Sequence, residues 1–202
     1  MTKDKNDIID YLVGSSLQLR KRRPVTYEQI QKSYDALFFP KETGAFTQEY
    51  RYAVALFVAA LHQKADIVIF YQNELNAFDK TLADKILKLA QTTLTKGPFG
   101  KYPEGPLSNE NSDGLIWKPQ NSEIEFLGAF LSPAFIFAHQ LIFHPRDANK
   151  SDFNDLLKAG WQQKDIVTLA QLISYLAFQI RLITGLQVLN NNSQDQGEKN
   201  VG

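Results

Sequence analysis

Two apolar segments with the same helical period constrain the fold of this 202-residue chain more than any other feature. One is QEYRYAVALFVAALH, residues 48–62, and the other is QKDIVTLAQLISYLA, residues 163–177. A shift of 115 positions places Val58 over Ile173 and Leu61 over Leu176. Apolar residues at every third or fourth position form one face of an α-helix. The pattern predicts two long core helices, and it leaves open whether they are twofold-related or two ordinary core helices.

Start and stop signals divide most of the remaining chain into further helices. The predicted helices cover residues 27–39, 48–75, 80–94, 123–143, 152–159 and 162–189, and the expected N-terminal caps of the first five are Thr26, Thr47, Asp79, Ser122 and Ser151. No segment shows the alternating period of a strand. We therefore predict an all-α fold, with one domain over residues 1–189 and a disordered polar tail over residues 190–202.

Residues 97–121 form the one long internal segment without a helical period. The segment reads GPFGKYPEGPLSNENSDGLIWKPQN and is rich in glycine, proline and asparagine. A loop of this length is rarely an idle connection in a compact domain. We expect it to be either a lid over a pocket or an oligomer contact.

Composition excludes several classes of partner and chemistry. The 22 basic and 22 acidic residues balance, so no net field attracts nucleic acid or an anionic membrane. The chain has no cysteine, which excludes disulfides and thiolate chemistry. Its N-terminus lacks the apolar core of a signal peptide, so we expect a cytoplasmic protein. The uncharged run over residues 126–143 contains Ser132-Pro133, which predicts two buried core helices rather than a membrane span.

Three stretches within residues 14–189 carry a family likeness: GSSLQLRKRRPVTYEQIQKSYDALFFP, YRYAVALFVAALHQKA and LLKAGWQQKDIVTLAQLISYLAFQIRLITGL. They resemble the carboxymuconolactone decarboxylase and alkylhydroperoxidase D-like superfamily. The resemblance implies an alkylhydroperoxidase D-like helical bundle, homo-oligomers built through the long helices, and a pocket near residues 59–75.

The redox motif of the peroxidase members is missing. Those members carry a glutamate, then C-x-x-C, then a histidine four residues after the second cysteine, and the thiolates reduce the peroxide. Two registers are open for this chain, and the four motif positions fall at Tyr52, Lys64, Ile67 and Tyr71 or at Arg51, Gln63, Asp66 and Phe70. Neither register restores a cysteine, so a thiol-dependent peroxidase is excluded for this chain.

Four residues on the predicted helix 48–75 are candidates for catalysis without a thiol: His62, Lys64, Asp66 and Tyr71. Enolising or protonating a lactone needs proton donors, proton acceptors and an oxyanion partner, which these side chains can supply. Each also has a structural interpretation. His62 fits a polar residue at a helix turn, and Lys64 and Asp66 fit a solvated helix face.

Four residues on the last helix are candidates for substrate binding: Arg181, Gln171, Tyr175 and Gln179. Arg181 has apolar neighbours in sequence, and its charge cannot be neutralised, so a buried Arg181 needs an anion. The shift of 115 positions sets it opposite Asp66. An Arg181–Asp66 ion pair and a carboxylate substrate are the two hypotheses, and the structural pair is the commoner outcome.

We expect no metal and no cofactor. His139 and His144 are five positions apart, which is poor spacing for a metal site on one helix. Two functions remain open for the chain. It is either a non-thiol enzyme or binder for a small carboxylate or lactone, acting as an acid–base lyase or decarboxylase, or a catalytically degenerate oligomeric protein with an interaction role.

Overall fold

The protein is a bundle of helices, as the sequence predicts. The computed structural model describes residues 7–14, 20 and 22–199, with side chains as far as Asn192. The helices are α1 (Ile8–Val13), α2 (Pro24–Phe38), α3 (Gln48–Leu61), α4 (Ala65–Asn76), α5 (Lys80–Thr93), α6 (Asn121–Phe143), α7 (Lys150–Lys158) and α8 (Gln163–Lys199). Short 3-10 helices span Ser108–Glu110 and Pro145–Asp147. Within the described residues the β-pairing is a single isolated bridge between Gly100 and Ser112, so the fold is all-α.

Helix α3 is the centre of the bundle. Every residue from Arg51 to Ala59 is buried, and the helix packs against α4, α5, α6 and α8. A helix that is apolar around its whole circumference needs neighbours on every side. Phe57, for example, stacks on Phe135 of α6 with ring centroids 4.5 Å apart. The two segments with the same pattern, α3 and the first half of α8, therefore meet in one core.

The long helix predicted over residues 48–75 is broken in two. Helix α3 ends at Leu61, His62 is its C-cap, and Gln63 adopts a left-handed conformation with φ 56°. Lys64 is then the extended N-cap of α4. Gln63 is neither glycine nor proline, so the sequence carries no breaking signal at this point. The break redirects the chain, and α4 packs against α3 instead of extending it.

Two predicted caps are confirmed and three are displaced. Thr47 accepts a hydrogen bond from the Tyr50 N–H at 3.3 Å, and Asp79 accepts one from the Leu82 N–H at 2.9 Å. Helix α2 begins instead at a proline, while α6 and α7 use capping boxes two residues earlier than predicted. The displaced caps Thr26, Ser122 and Ser151 lie within the first turns. Gln120 and Asn149 offer competing caps before Ser122 and Ser151, while Pro24 starts α2 without a side-chain cap, so the pattern alone could not place these boundaries.

The apolar run of α6 bends at a different residue from the one predicted. The kink lies at Gly128, with φ 70° and ψ 168°, and not at Ser132-Pro133. Glycine adopts this conformation without the Cβ clash of other residues. Ser132 donates a hydrogen bond to the Gly128 carbonyl at 2.8 Å, across the first turn after the kink.

Helices α6 and α8 are the two described helices long and apolar enough to cross a membrane, and half of each apolar window is buried inside the protein. Helix α8 continues to Lys199, beyond the end predicted at Leu189. Residues 190–196 contain no glycine or proline, so nothing local stops the helix. Residues 200–202, the end of the predicted tail, lie outside the described residues.

Residues 97–121 are fixed to the C-terminal end of α6. The Phe99 N–H donates to the Phe143 carbonyl at 2.6 Å, and the Lys101 N–H donates to Asp147 at 3.1 Å. His144 bonds to the Leu115 carbonyl at 3.0 Å. A Cβ on Gly97 would lie 3.0 Å from the Phe143 carbonyl oxygen, so this close approach requires glycine. Hydrogen bonds therefore hold this segment as a cover over the C-terminal end of α6.

Candidate functional site

A cavity of about 540 Å³ lies among the end of α3, the end of α6 and the middle of α8. His62 and Arg181 are its two charged or ionisable lining residues. The rest of the wall is Leu61, Gly97, Pro98, Leu141, Ile142, Phe143, Pro145, Ile173, Ser174 and Ala177. This volume, with a mainly apolar wall and a few polar groups, is typical of sites for small organic molecules. We call it the His62 cavity.

His62 is held at the C-terminal cap of α3 with an unsatisfied ring nitrogen. Its Nε2 is buried and has no hydrogen-bond partner among the described residues. Burial lowers the pKa of His62 to about 4, and the positive charge of Arg181 acts in the same direction. The ring is therefore neutral at neutral pH. A buried polar atom without a partner is uncommon and often marks a functional position.

Arg181 lies on the exposed side of α8, and not in the core as predicted. One Nη donates to the Ala177 carbonyl at 2.8 Å. The predicted ion pair with Asp66 does not form. Asp66 accepts instead from Gln187 Nε2 at 2.7 Å and lies 3.7 Å from Lys64 Nζ. The break at Gln63 explains the error, because it carries Asp66 off the axis of α3 toward the end of α8.

Lys64 and Asp66 therefore lie at the N-terminus of α4, and neither lines the His62 cavity. Both side chains are partly exposed, at 29% and 39%. The structure does not bring these two predicted catalytic residues together with His62.

Tyr71 and Gln179 pair with each other inside the core. The Tyr71 hydroxyl donates to Gln179 Oε1 at 2.6 Å, and Gln179 Nε2 reaches the Tyr175 hydroxyl at 3.4 Å. Tyr71 and Gln179 are both fully buried. Burial raises the pKa of the Tyr71 hydroxyl well above its usual value, which keeps it a neutral donor. Tyr71 is thus separated from the His62 cavity and fills space between α4 and α8.

Tyr52 belongs to the same buried region as Tyr71. The Phe38 ring stacks on both Tyr52 and Tyr71, with centroids 4.9 and 5.6 Å away. Arg51 points elsewhere and donates to the Leu37 carbonyl at 2.6 Å. Tyr52 and Tyr71 therefore pack among aromatic rings, and neither lines the His62 cavity.

Gln171 and Tyr175 line a second, separate opening between α2 and α8, about 790 Å³ in volume. Its buried charged residues are Arg51 and Asp165. Nothing in the sequence marks Asp165 as a site residue, because an acid in the first turn of a helix is expected there without any further role. The described residues contain no group of three or more His, Asp or Glu side chains that could hold a metal ion.

The comparisons with known proteins support the fold and go no further. No protein-family model matches the chain, and no curated protein matches its sequence. Among solved structures, the chain is similar to an uncharacterized peroxidase-related protein from Silicibacter sp. TM1040. The TM-score is 0.58 at 12% sequence identity, covering 88% of this chain and 78% of the other. At this identity the likeness supports the all-α fold alone.

Proposed function

We propose that the His62 cavity binds a small organic carboxylate or lactone and supports acid–base chemistry without a thiol. One observation carries the proposal: a neutral, partly exposed imidazole, whose buried Nε2 has no partner among the described residues, shares an apolar cavity with an arginine. Arg181 supplies the charge that attracts a carboxylate, and its planar guanidinium suits carboxylate geometry. The apolar wall supports the hydrocarbon part of the ligand.

The low pKa of His62 defines what the ring does in this site. A free imidazole with a pKa of about 4 is a weak base, although it accepts hydrogen bonds throughout the neutral range. A bound carboxylate would offset the charge of Arg181 and favour the imidazolium form. Binding therefore raises the pKa of His62 and makes it a stronger proton acceptor when the site is occupied.

Calorimetry with butyrate and its neutral amide, butyramide, tests the proposal. The two probes share a hydrocarbon chain and differ in charge. We expect butyrate to bind at least about tenfold more tightly, a preference of about 1.4 kcal/mol, and Arg181→Gln to remove that preference. Arg23→Gln, an exposed arginine at the start of α2, is the matched control and should keep it. Equal binding of the two probes, or a preference that survives Arg181→Gln, would exclude a carboxylate site here.

A second function, self-association with an interaction role, is favoured by a different observation. Tyr52 and Tyr71 are buried in the core, and large apolar side chains are exposed on α4 and α8, including Ile69 and Phe178. Exposed apolar surface favours association with another protein surface. Native mass spectrometry distinguishes the two functions. An oligomer without added mass favours the interaction role, a retained small molecule favours the cavity, and a monomer counts against self-association.

A further inference from the structure

The opening between α2 and α8, here called the Asp165 cleft, contains a buried acid without a bonding partner. Asp165 is only 4% exposed. Its Oδ2 is buried and has no hydrogen-bond partner among the described residues. The cleft has a volume of about 790 Å³, within the range of sites that hold small ligands. An ionised oxygen buried without a donor is costly, so the position calls for an explanation.

The position of Asp165 at the start of α8 favours a negative charge there, but it does not explain why Oδ2 lacks a hydrogen bond. Asp165 lies in the first turn of α8, where the helix dipole favours a negative charge. Its backbone N–H donates to the Gln162 carbonyl at 2.9 Å. Its carboxylate makes no capping hydrogen bond in the described structure. The helix terminus suits a negative charge at this position and gives Oδ2 no hydrogen-bond donor.

Arg51 is the buried cation of the cleft, and its guanidinium makes its hydrogen bonds to backbone carbonyls and not to Asp165. Its Nε donates to the Phe46 carbonyl at 3.0 Å, and one Nη donates to the Leu37 carbonyl at 2.6 Å. The guanidinium also lies over the Phe46 ring, 4.8 Å from its centroid. These contacts hold Arg51 outside ion-pair distance of Asp165. Arg51 therefore supplies a nearby positive charge without satisfying Oδ2.

The rest of the cleft suits an organic group better than a bare ion. Leu37, Phe153 and Val167 give it apolar wall, and Ser33, Thr43 and Ser174 add hydroxyls. A metal ion would need several oxygen ligands at short range, and the described side chains offer no such cluster. A protonated amine needs one carboxylate and a few hydroxyls around a short hydrocarbon chain.

We propose that the Asp165 cleft binds a small protonated aliphatic amine, whose ammonium group pairs with the Asp165 carboxylate while its hydrocarbon chain lies on Leu37 and Phe153. This site is separate from the His62 cavity and takes a ligand of opposite charge. Ser174 lies on the wall of both openings, so the two ligands would lie on neighbouring stretches of α8.

Ligand-observed NMR with n-butylammonium chloride tests this site, with n-butanol as the neutral probe of the same length. We expect n-butylammonium to bind at least about tenfold more tightly than n-butanol. Asp165→Asn, which keeps the shape and removes the charge, should abolish the difference. Asp84→Asn makes the same change at an exposed position of α5, outside the cleft, and should alter affinity by less than about twofold.

A second readout on the wild-type protein covers the case in which Asp165→Asn fails to fold. The Asp165 carboxyl carbon, observed by ¹³C NMR, should shift on addition of n-butylammonium and stay unchanged with n-butanol. Equal binding of the two probes, an Asp165→Asn variant that keeps the preference, or an unperturbed Asp165 carboxyl would each overturn the proposal. Butyrate binding at the His62 cavity is unaffected by any of these results, so the two sites fail independently.

Discussion

His62 and Tyr71 lie on the same predicted helix and have opposite surroundings in the structure. Tyr71 is fully buried, stacked near Phe38, and hydrogen-bonded to Gln179. His62 has a buried nitrogen with no partner and faces a cavity that it shares with Arg181. The region around Tyr71 is therefore filled, while the region around His62 is open and holds a nitrogen without a partner among the described residues. The difference teaches that one predicted helix, broken at Gln63, supplies both a packed core and one wall of a mainly apolar cavity.

The largest expected loss of stability comes from a change at Tyr71, in the packed core. Tyr71→Ala removes a buried ring between α4 and α8 and should destabilise the protein by roughly 3–5 kcal/mol, the range for aromatic-to-alanine changes in cores. Denaturant unfolding measures the change. Phe178→Ala, at an exposed aromatic on α8, should cost far less. A loss below about 1 kcal/mol for Tyr71→Ala would mean that the ring does not fill the core as described.

Tyr71→Phe isolates the hydrogen bond from the packing. The ring remains, while Gln179 Oε1 loses the donor that lies 2.6 Å away in a fully buried setting. We expect a destabilisation of roughly 1–3 kcal/mol, the cost of leaving a buried acceptor unpaired. The double variant Tyr71→Phe with Gln179→Leu should recover part of that loss. Additive losses in the double variant would contradict a direct pairing.

His62, in the open cavity, should make the stability of the protein depend on pH. The folded pKa of His62 is about 4, below the ordinary histidine value of 6.5. The unfolded chain therefore takes up the proton first, and the folded state loses stability as the pH falls from about 6.5 to about 4. His62→Gln removes this loss, so its stability relative to wild type should rise by roughly 1–2 kcal/mol across that window, discounted for the partial exposure of the ring.

Thermal or denaturant unfolding at several pH values measures the His62→Gln effect. His139, whose pKa is also lowered by burial, is present in both proteins and cancels in the difference. Parallel stability curves for the two proteins from pH 7 to pH 4 would show that His62 titrates normally and is not buried beside a cation.

The smallest expected change in stability concerns residues 97–121, the segment that covers the end of α6 at the rim of the His62 cavity. A hydrogen bond from His144 lowers the pKa of the Asp147 carboxyl, with burial acting in the opposite direction. Because the folded pKa is depressed, this contribution is present above the ordinary carboxyl range and lost as the pH falls through the lowered value. Asp147→Asn should cost less than about 1 kcal/mol at pH 7, and the cost should vanish in acid. Asp155→Asn, at an exposed pair with Lys158, is the control and should change little at either pH.

Local signals predicted the helices well and the site poorly. Thr47 and Asp79 were found as caps because each acts through its own side chain within three residues. The break at Gln63 had no glycine or proline to announce it. That break decides which way every later residue of α4 faces, so the sequence could not separate Tyr71 from His62.

Helical periodicity also could not predict which side chains become neighbours in the folded protein. Arg181 was predicted to be buried because its neighbours in sequence are apolar, yet it lies on the exposed side of α8. Asp165 looked like an ordinary acid in a first helical turn, and only the packing of α2 against α8 shows that its oxygen is buried and unpaired. Both features depend on tertiary contacts, which local spacing does not encode.

The most direct test of the open His62 cavity is an NMR titration of the His62 ring nitrogens, with and without butyrate, assigned by comparison with His62→Gln. The structure predicts a pKa of about 4 for His62 in the free protein, and butyrate should raise it by at least about half a pH unit, because an anion beside the ring favours the imidazolium form. An ordinary pKa near 6.5 that butyrate does not change would contradict both the burial of His62 beside Arg181 and the carboxylate site proposed there.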